Sequence, residues 1–121
     1  MLDLEIELKN TFSVRTAGED QFDFLLTLPK NFPFFIGHFP QFSVLPAVGL
    51  IDVSLFLVRD QFPHFKTKYL QKIKCLKIKA SLGPNQESVI QAFKIAEHEF
   101  SVLWKGQDEK PIADFNFVFG P

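Results

Sequence analysis

One carboxylate in this sequence stands where an acidic side chain is costly. Asp52 lies in the most apolar run of the chain, surrounded by Leu50, Ile51, Val53 and Leu55. Burial destabilises an ionised carboxylate unless it is paired or hydrogen-bonded, and it raises the carboxyl pKa toward values useful for proton transfer. We therefore predict that Asp52 is catalytic, with an Asp that only caps a neighbouring loop as the structural alternative.

A histidine in an aromatic loop is the second candidate for proton transfer. His38 lies in a segment that carries five phenylalanines: Phe32, Phe34, Phe35, Phe39 and Phe42. Apolar surroundings favour the neutral imidazole, which can act as a general base, although a loop histidine taken alone is more often structural. We predict that His38 is catalytic. Phe39 is a predicted substrate contact if the ligand is a long acyl chain; otherwise the phenylalanines belong to the core.

The sequence lacks the motifs of several other kinds of site. No G-x-S-x-G motif surrounds a serine, no glycine-rich phosphate loop is present, and the three histidines and one cysteine have no zinc-ligand spacing. We therefore expect neither a metal nor a cofactor.

Alternation of polar and apolar residues indicates the elements that must position the two candidates. Residues 2–8 and 22–28 are predicted strands, and residues 46–59 are a predicted helix with an N-cap at or near Ser43. The helix is apolar nearly all round, which is typical of a buried helix. Four further strands are predicted at residues 70–80, 87–96, 99–104 and 112–119, with a bulge at Cys75-Leu76. An antiparallel sheet wrapped around the helix satisfies this order.

Composition and charge narrow the class of protein. The chain is 46% hydrophobic and 22% charged, which is typical of a globular protein, and we expect residues 1–121 to form a single domain. The lone Cys75 excludes an internal disulfide, and the start of the chain lacks signal-peptide features, so we expect a cytoplasmic protein. The longest apolar run, residues 44–58, is too short for membrane insertion, and the net charge of −1 gives no reason to expect nucleic acid.

A run of lysines without neighbouring acids is a separate feature. Residues 61–86 contain no acidic residue but six lysines: Lys66, Lys68, Lys72, Lys74, Lys77 and Lys79. Two interpretations stay open, a solvated polar face of strands or a docking surface for an acidic partner. Charge reversal at Lys72 and Lys74 is the test that separates them.

The two candidate residues belong to one motif. The stretch FFIGHFPQFSVLPAVGLID, which ends at Asp52, resembles the active-site signature of the 3-hydroxyacyl-acyl-carrier-protein dehydratases of the FabA and FabZ type. Members carry G/C-H-F-x-x-x-P-V-x-P-G and an acidic residue fourteen positions after the histidine, and Asp52 lies fourteen positions after His38. The Asp is more like FabA, whereas Gly-His-Phe-Pro is more like FabZ.

This resemblance implies a fold and a reaction. The fold is the α+β hotdog, a curved antiparallel sheet around a long central helix. The reaction is dehydration of 3-hydroxyacyl thioesters on acyl carrier protein to trans-2-enoyl thioesters, in fatty-acid or related polyene or polyketide biosynthesis. His38 would remove the proton beside the thioester carbonyl, and Asp52 would protonate the leaving hydroxyl. The Val44 carbonyl would orient His38, and the Ala47 amide would bind the thioester oxygen.

The resemblance also implies a homodimer or a dimer-based higher oligomer. The histidine of one subunit would face the acid of the other, so that two-fold symmetry gives two equivalent sites. His38 precedes the helix and Asp52 lies well inside it, so local chain geometry does not by itself bring the pair together.

Three positions depart from the family pattern. Ser43 replaces the usual Pro, Ala47 replaces Gly, and Phe56 replaces a Gln four residues after the acid. By comparison with the family, the Ala47 methyl would crowd the thioester, and Phe56, a predicted substrate contact, would remove a polar group near the carboxylate. Two alternatives therefore stay open on the same fold. One is a non-catalytic protein that binds acyl thioesters. The other is a thioesterase, which needs a carboxylate but gives no reason for the His38 motif.

Overall fold

The computed structural model of this chain describes residues 12–32, 35 and 44–121. The elements in these ranges are β1 (Phe12–Ala17), β2 (Gln21–Thr27), α1 (Ala47–Gln61), a 3₁₀ helix (Pro63–Thr67), β3 (Leu70–Ile78), β4 (Glu87–Ala96), β5 (Glu99–Gly106) and β6 (Pro111–Phe119). The strands form one antiparallel sheet in the order β1-β2-β4-β5-β6-β3. The sheet curves around α1, which confirms the predicted α+β hotdog fold.

Alternating burial along the central strands builds the core. In β5, and in β6 from Ala113 onward, every second side chain is buried, because successive residues of a strand point to opposite faces of the sheet. The inward row contributes aromatic side chains that pack against α1: Phe100, Trp104, Phe115, Phe117 and Phe119. The same alternation makes β4 to β6 the strands that the sequence predicts most closely.

The first strand differs from the prediction. β1 covers Phe12–Ala17, a segment for which no strand was predicted, and the strand predicted at residues 2–8 lies outside the described residues. Apolar and polar residues alternate only from Phe12 to Arg15, which is too short a run to predict a strand from sequence. A register shift between Val14 and Thr16 interrupts the alternation, and Val14 is exposed at the sheet edge.

Two prolines, Pro46 and Pro63, determine where α1 begins and ends. Pro46, with φ −72° and ψ 165°, is the N-cap, three residues after the cap predicted at or near Ser43, and no side chain in the described ranges caps the helix. A proline disfavours helical conformation in the residue before it, which keeps Leu45 out of the helix. Pro63 acts in the same way at the other end, where α1 stops at Gln61.

The prediction of a wholly buried helix is also wrong in part. One row of α1 packs on the sheet and is buried: Gly49, Leu50, Val53, Ser54, Leu57 and Val58. On the opposite side Val48 is 56% exposed, because a single sheet covers a helix from one side only. None of the helices in the described ranges has the length and apolarity that a membrane span requires.

The bulge predicted in β3 is confirmed. The register of β3 against β6 shifts between Lys74 and Lys77, where the two residues Cys75 and Leu76 stand opposite the single residue Phe115. Cys75 takes a φ of 57°, the left-handed conformation found at the first residue of one bulge type. After the bulge, Lys77 stands opposite Asp114 and Ile78 opposite Ala113, and Ile78 is 50% exposed at this edge of the sheet.

Candidate functional site

Asp52 lies one and a half turns into α1 and is half-buried. Desolvation raises the pKa of its carboxyl above the ordinary value of 3.8. In the described part of the chain, this carboxylate has no hydrogen bond or ion pair that would oppose the shift. A carboxyl in such surroundings holds its proton more readily and is suited to donate it in a reaction.

An apolar stripe surrounds Asp52 on the side of α1 that faces away from the sheet. Val48 and Phe56 lie one turn before and one turn after Asp52, and Ile51 and Leu55 flank it. Val48 is exposed and the other three apolar side chains are only half-buried. A carboxylate at the centre of an incompletely covered apolar face is the arrangement expected of a site that a ligand or a second chain completes.

Phe56 takes part of its packing from β1. Its ring meets the ring of Phe12 edge to face, with 6.0 Å between centroids, and Phe12 in turn meets Phe24 at 6.1 Å. The aromatic side chain that replaces the usual Gln is therefore held in place by the edge of the sheet. The sequence analysis did not predict Phe12 as a neighbour of Phe56, because β1 itself was not predicted.

Val44 and Ala47 lie at the start of α1. Val44 is half-buried, and the following residue donates its backbone N–H to Leu82 O at 2.8 Å, which ties this segment to the loop before β4. Ala47 is exposed in the first turn. Amides of a first turn lack partners within the helix, and among the described residues no side chain caps α1, so the Ala47 N–H needs an acceptor from outside the helix.

The remaining predicted site residues lie outside the described residues. His38 and Phe39 belong to that part of the chain, so their position relative to Asp52 stays a prediction. Within the described ranges, no group of three or more His, Cys, Asp or Glu side chains is placed to hold a metal ion.

A buried polar pair joins α1 to the sheet close to Asp52. Trp104 Nε1–H on β5 donates to Ser54 Oγ at 2.7 Å, and Ser54 Oγ donates to Leu50 O at 2.7 Å. The sequence analysis did not single out either residue. A serine within an otherwise apolar helix was the available signal, because a buried hydroxyl needs a partner.

The lysines of β3 project from the outer face of the sheet. Three of them pair with β6 residues that alternate with its buried phenylalanines: Lys72 with Val118, Lys74 with Asn116 and Lys77 with Asp114. Lys74 Nζ binds Glu99 Oε2 at 3.1 Å, whereas no ion pair is present for Lys72 or Lys77 among the described residues. β3 is an edge strand, so this row borders the rim of the sheet.

Comparison with known proteins supplies a family. Residues 14–114 match the family model of ApeI-like proteins, described as ApeI dehydratase. A search of curated protein sequences found no match.

Solved structures share the fold at low sequence identity. The dehydratase heterocomplex ApeI:P from Xenorhabdus doucetiae contains a chain with a TM-score of 0.79 and 15% identity, covering 90% of this chain and 95% of that chain. An uncharacterised protein from Erwinia carotovora subsp. atroseptica has a TM-score of 0.73 and 16% identity over 90% of both chains. A hypothetical thioesterase with coenzyme A from Streptococcus pneumoniae has a TM-score of 0.72 and 5% identity over 95% of this chain and 88% of that one.

Proposed function

This chain belongs to the ApeI-like dehydratase family, and we propose that it dehydrates 3-hydroxyacyl thioesters on acyl carrier protein to trans-2-enoyl thioesters. The observation that carries the proposal is the half-buried Asp52, whose pKa is raised by desolvation and which stands at the centre of an incompletely covered apolar stripe. The pathway in this proposal is the synthesis of fatty acids or of related polyenes or polyketides.

The proposed reaction divides proton transfer between two residues. His38 accepts the proton from C2, the C–H electron pair becomes the C2=C3 double bond, and the 3-hydroxyl leaves as water with a proton from Asp52. The raised pKa of Asp52 supports this role, because only the protonated carboxyl can act as the acid. Proton return from His38 to Asp52 through solvent then completes the cycle.

Backbone groups at the start of α1 are proposed to hold the reacting atoms. The Ala47 N–H would donate to the thioester oxygen, where negative charge develops as the C2 proton leaves. The helix N-terminus carries partial positive charge, and no acidic side chain occupies its first turn. The Val44 carbonyl would orient the imidazole of His38.

We propose that a second chain completes the site. Val48 is exposed and Ile51 and Leu55 are only half-buried, so the sheet of the same chain leaves the apolar face around Asp52 partly uncovered. β3 is an edge strand with one unpaired row of backbone groups, a template for pairing with another chain. A homodimer is the simplest assembly, and the similar chain from the ApeI:P heterocomplex supports testing a different second chain as well.

The acyl carrier protein is the proposed acidic partner of the β3 lysines. Lys72 and Lys77 are exposed on the outer face, and no ion pair neutralises either one in the described ranges. α1 packs on the other face, so an acyl arm from a carrier bound at these lysines would pass the rim of the sheet beside β3.

A thioesterase is the second candidate function. The similar structure from Streptococcus pneumoniae is a hypothetical thioesterase with coenzyme A, and Asp52 is a carboxylate that could activate water in the same place. The two reactions differ in the bond that breaks, C3–O in dehydration and C–S in thioester hydrolysis.

Incubation with a panel of 3-hydroxyacyl carrier proteins tests the proposal. We expect mass spectrometry to show enoyl product with loss of water, and no free carrier thiol. Asp52→Asn, which keeps the shape and removes the acid, serves as the matched control and should form no product. Release of free thiol would support the thioesterase, and binding without turnover by the wild type would contradict both enzymes.

A further inference from the structure

One side-chain hydrogen bond described for α1 reaches the sheet. Trp104 Nε1–H donates to Ser54 Oγ, and both residues are buried, with exposures of 0% and 1%. Ser54 is the one polar side chain in the buried row of the helix. The apolar contacts of that row tolerate small rotations of the helix, but a hydrogen bond weakens steeply when its geometry changes.

Ser54 and Asp52 lie on opposite sides of α1. Two positions along a helix turn a side chain by about 200° around the axis, since one turn takes 3.6 residues. The residue bonded to the centre of the sheet therefore determines where the carboxylate points, which is away from the sheet. Arg59 also anchors α1, but it donates to the carbonyls of Phe65 and Lys68 beyond the helix end and not to a strand.

Stability alone does not require this polar pair. A buried Trp N–H and a buried Ser hydroxyl each need a partner, whereas two apolar side chains of suitable shape fill the same space with little change in the free energy of unfolding. A directional bond instead selects one rotation of the helix among several of similar packing quality.

We propose that the Ser54–Trp104 hydrogen bond positions Asp52 for catalysis by holding α1 in one rotation on the sheet. The inference rests on the proposed function, in which Asp52 donates a proton to the 3-hydroxyl. Groups that do chemistry must be held within about 0.5 Å of their working position, and rotation of the helix on the sheet would move the carboxylate away from that position. Ser54 and Trp104 act through Asp52 and do not touch the substrate.

Ser54→Ala tests the proposal, with Leu57→Ala as the matched control on the same buried row. Both variants lose stability, but only Ser54→Ala breaks the bond to the sheet. The chain has a single tryptophan, so its indole N–H resonance reports directly on the loss of that bond. We expect kcat of Ser54→Ala to fall about tenfold or more with KM within about twofold, and kcat of Leu57→Ala to stay within about twofold of wild type.

A readout without turnover separates this proposal from the proposed function. A carbon-13 titration of the Asp52 carboxyl should give a pKa closer to the ordinary value of 3.8 in Ser54→Ala than in wild type or Leu57→Ala. The reason is that a helix free to rotate on the sheet exposes the carboxyl to solvent. Trp104→Phe removes the same bond from the sheet side and replaces Ser54→Ala if that variant does not fold. Wild-type kcat and titration in a folded bond-deleted variant would overturn the proposal. Absence of turnover by the wild type would contradict the proposed function and leave the titration to decide the positioning role.

Discussion

The charge on Asp52 opposes the folding of the chain around it. Because desolvation raises its pKa above 3.8 in the folded protein, the folded state binds this proton more tightly than the unfolded chain does. The folded state therefore holds more protons between the ordinary and the raised pKa. The free energy of unfolding falls as pH rises through that window, and the loss persists at higher pH, where the carboxylate stays ionised.

Asp52→Asn should be more stable than the wild type at neutral pH. We expect a higher Tm at about pH 7 and no difference below about pH 3, where both side chains are neutral. Thermal unfolding followed by circular dichroism at the two pH values measures this. Asp20→Asn, at an exposed turn carboxylate, is the control and should show a smaller change. A lower Tm for Asp52→Asn at neutral pH would mean that the ionised carboxylate stabilises the fold.

Ala47→Gly restores the residue that the dehydratase signature carries at the start of the helix. We expect activity to stay the same or to increase, because the methyl group no longer crowds the thioester oxygen. Glycine in a first turn should lower the free energy of unfolding by less than about 1 kcal/mol. Steady-state kinetics and urea unfolding of the same preparation check both statements. A large loss of activity in a folded variant would show that the Ala47 methyl itself contributes to the site.

At the scale of elements, α1 and β3 place the two proposed functional surfaces on opposite faces of the sheet. Asp52 projects from the side of α1 that faces away from the strands, and the β3 lysines project from the outer face. A carrier protein bound at β3 would reach Asp52 around the sheet edge. Lys74 is left out of the charge-reversal test of carrier docking, because it forms an ion pair with Glu99 and its substitution would also break that pair.

Lys72→Glu combined with Lys77→Glu should weaken turnover of carrier-bound substrate. We expect KM for the carrier-bound thioester to rise roughly tenfold at low salt, and small thioester mimics to be unaffected, because only the carrier carries the acidic surface. The control is Arg15→Glu combined with Lys30→Glu, which changes the net charge equally at exposed positions elsewhere. Equal loss with both kinds of substrate would remove the docking role.

At the scale of the whole molecule, the partly uncovered face of α1 and the unpaired edge of β3 are the surfaces on which we propose that a second chain packs. If His38 of one chain serves Asp52 of another, neither His38→Ala nor Asp52→Ala homodimer can turn over substrate. Exchange of subunits between the two variants creates heterodimers with one doubly damaged and one intact site.

Mixing the two inactive variants should therefore restore activity. With equal amounts and free exchange, half of the dimers are heterodimers with one of two sites intact, so about one quarter of the wild-type rate is expected. Native mass spectrometry confirms the exchange, and a mixture of Asp52→Ala with Asp52→Asn is the control that should stay inactive. No recovery despite confirmed exchange would mean that both residues act within one chain or that they are not the catalytic pair.

Several features of this protein follow from local sequence. Alternation predicts β4 at residues 87–96, its observed bounds, because the period of two is a property of the strand itself. The phase slip at Cys75-Leu76 predicts the β3 bulge for the same reason. Asp52 stands out because a carboxylate among aliphatic residues is unfavourable wherever the segment folds.

Only the tertiary structure decides which side of each element is covered and by what. β1 has a short alternation that a register shift interrupts, and it becomes a strand by pairing with β2 at the edge of the sheet. The rotation of α1 depends on contacts between residues fifty positions apart, Ser54 and Trp104, and no local pattern relates them. That rotation buries one row of an almost uniformly apolar helix and leaves the row with Asp52 half-open. The sequence therefore determines that Asp52 is unusual, and the packing of α1 on the sheet determines where its carboxylate points.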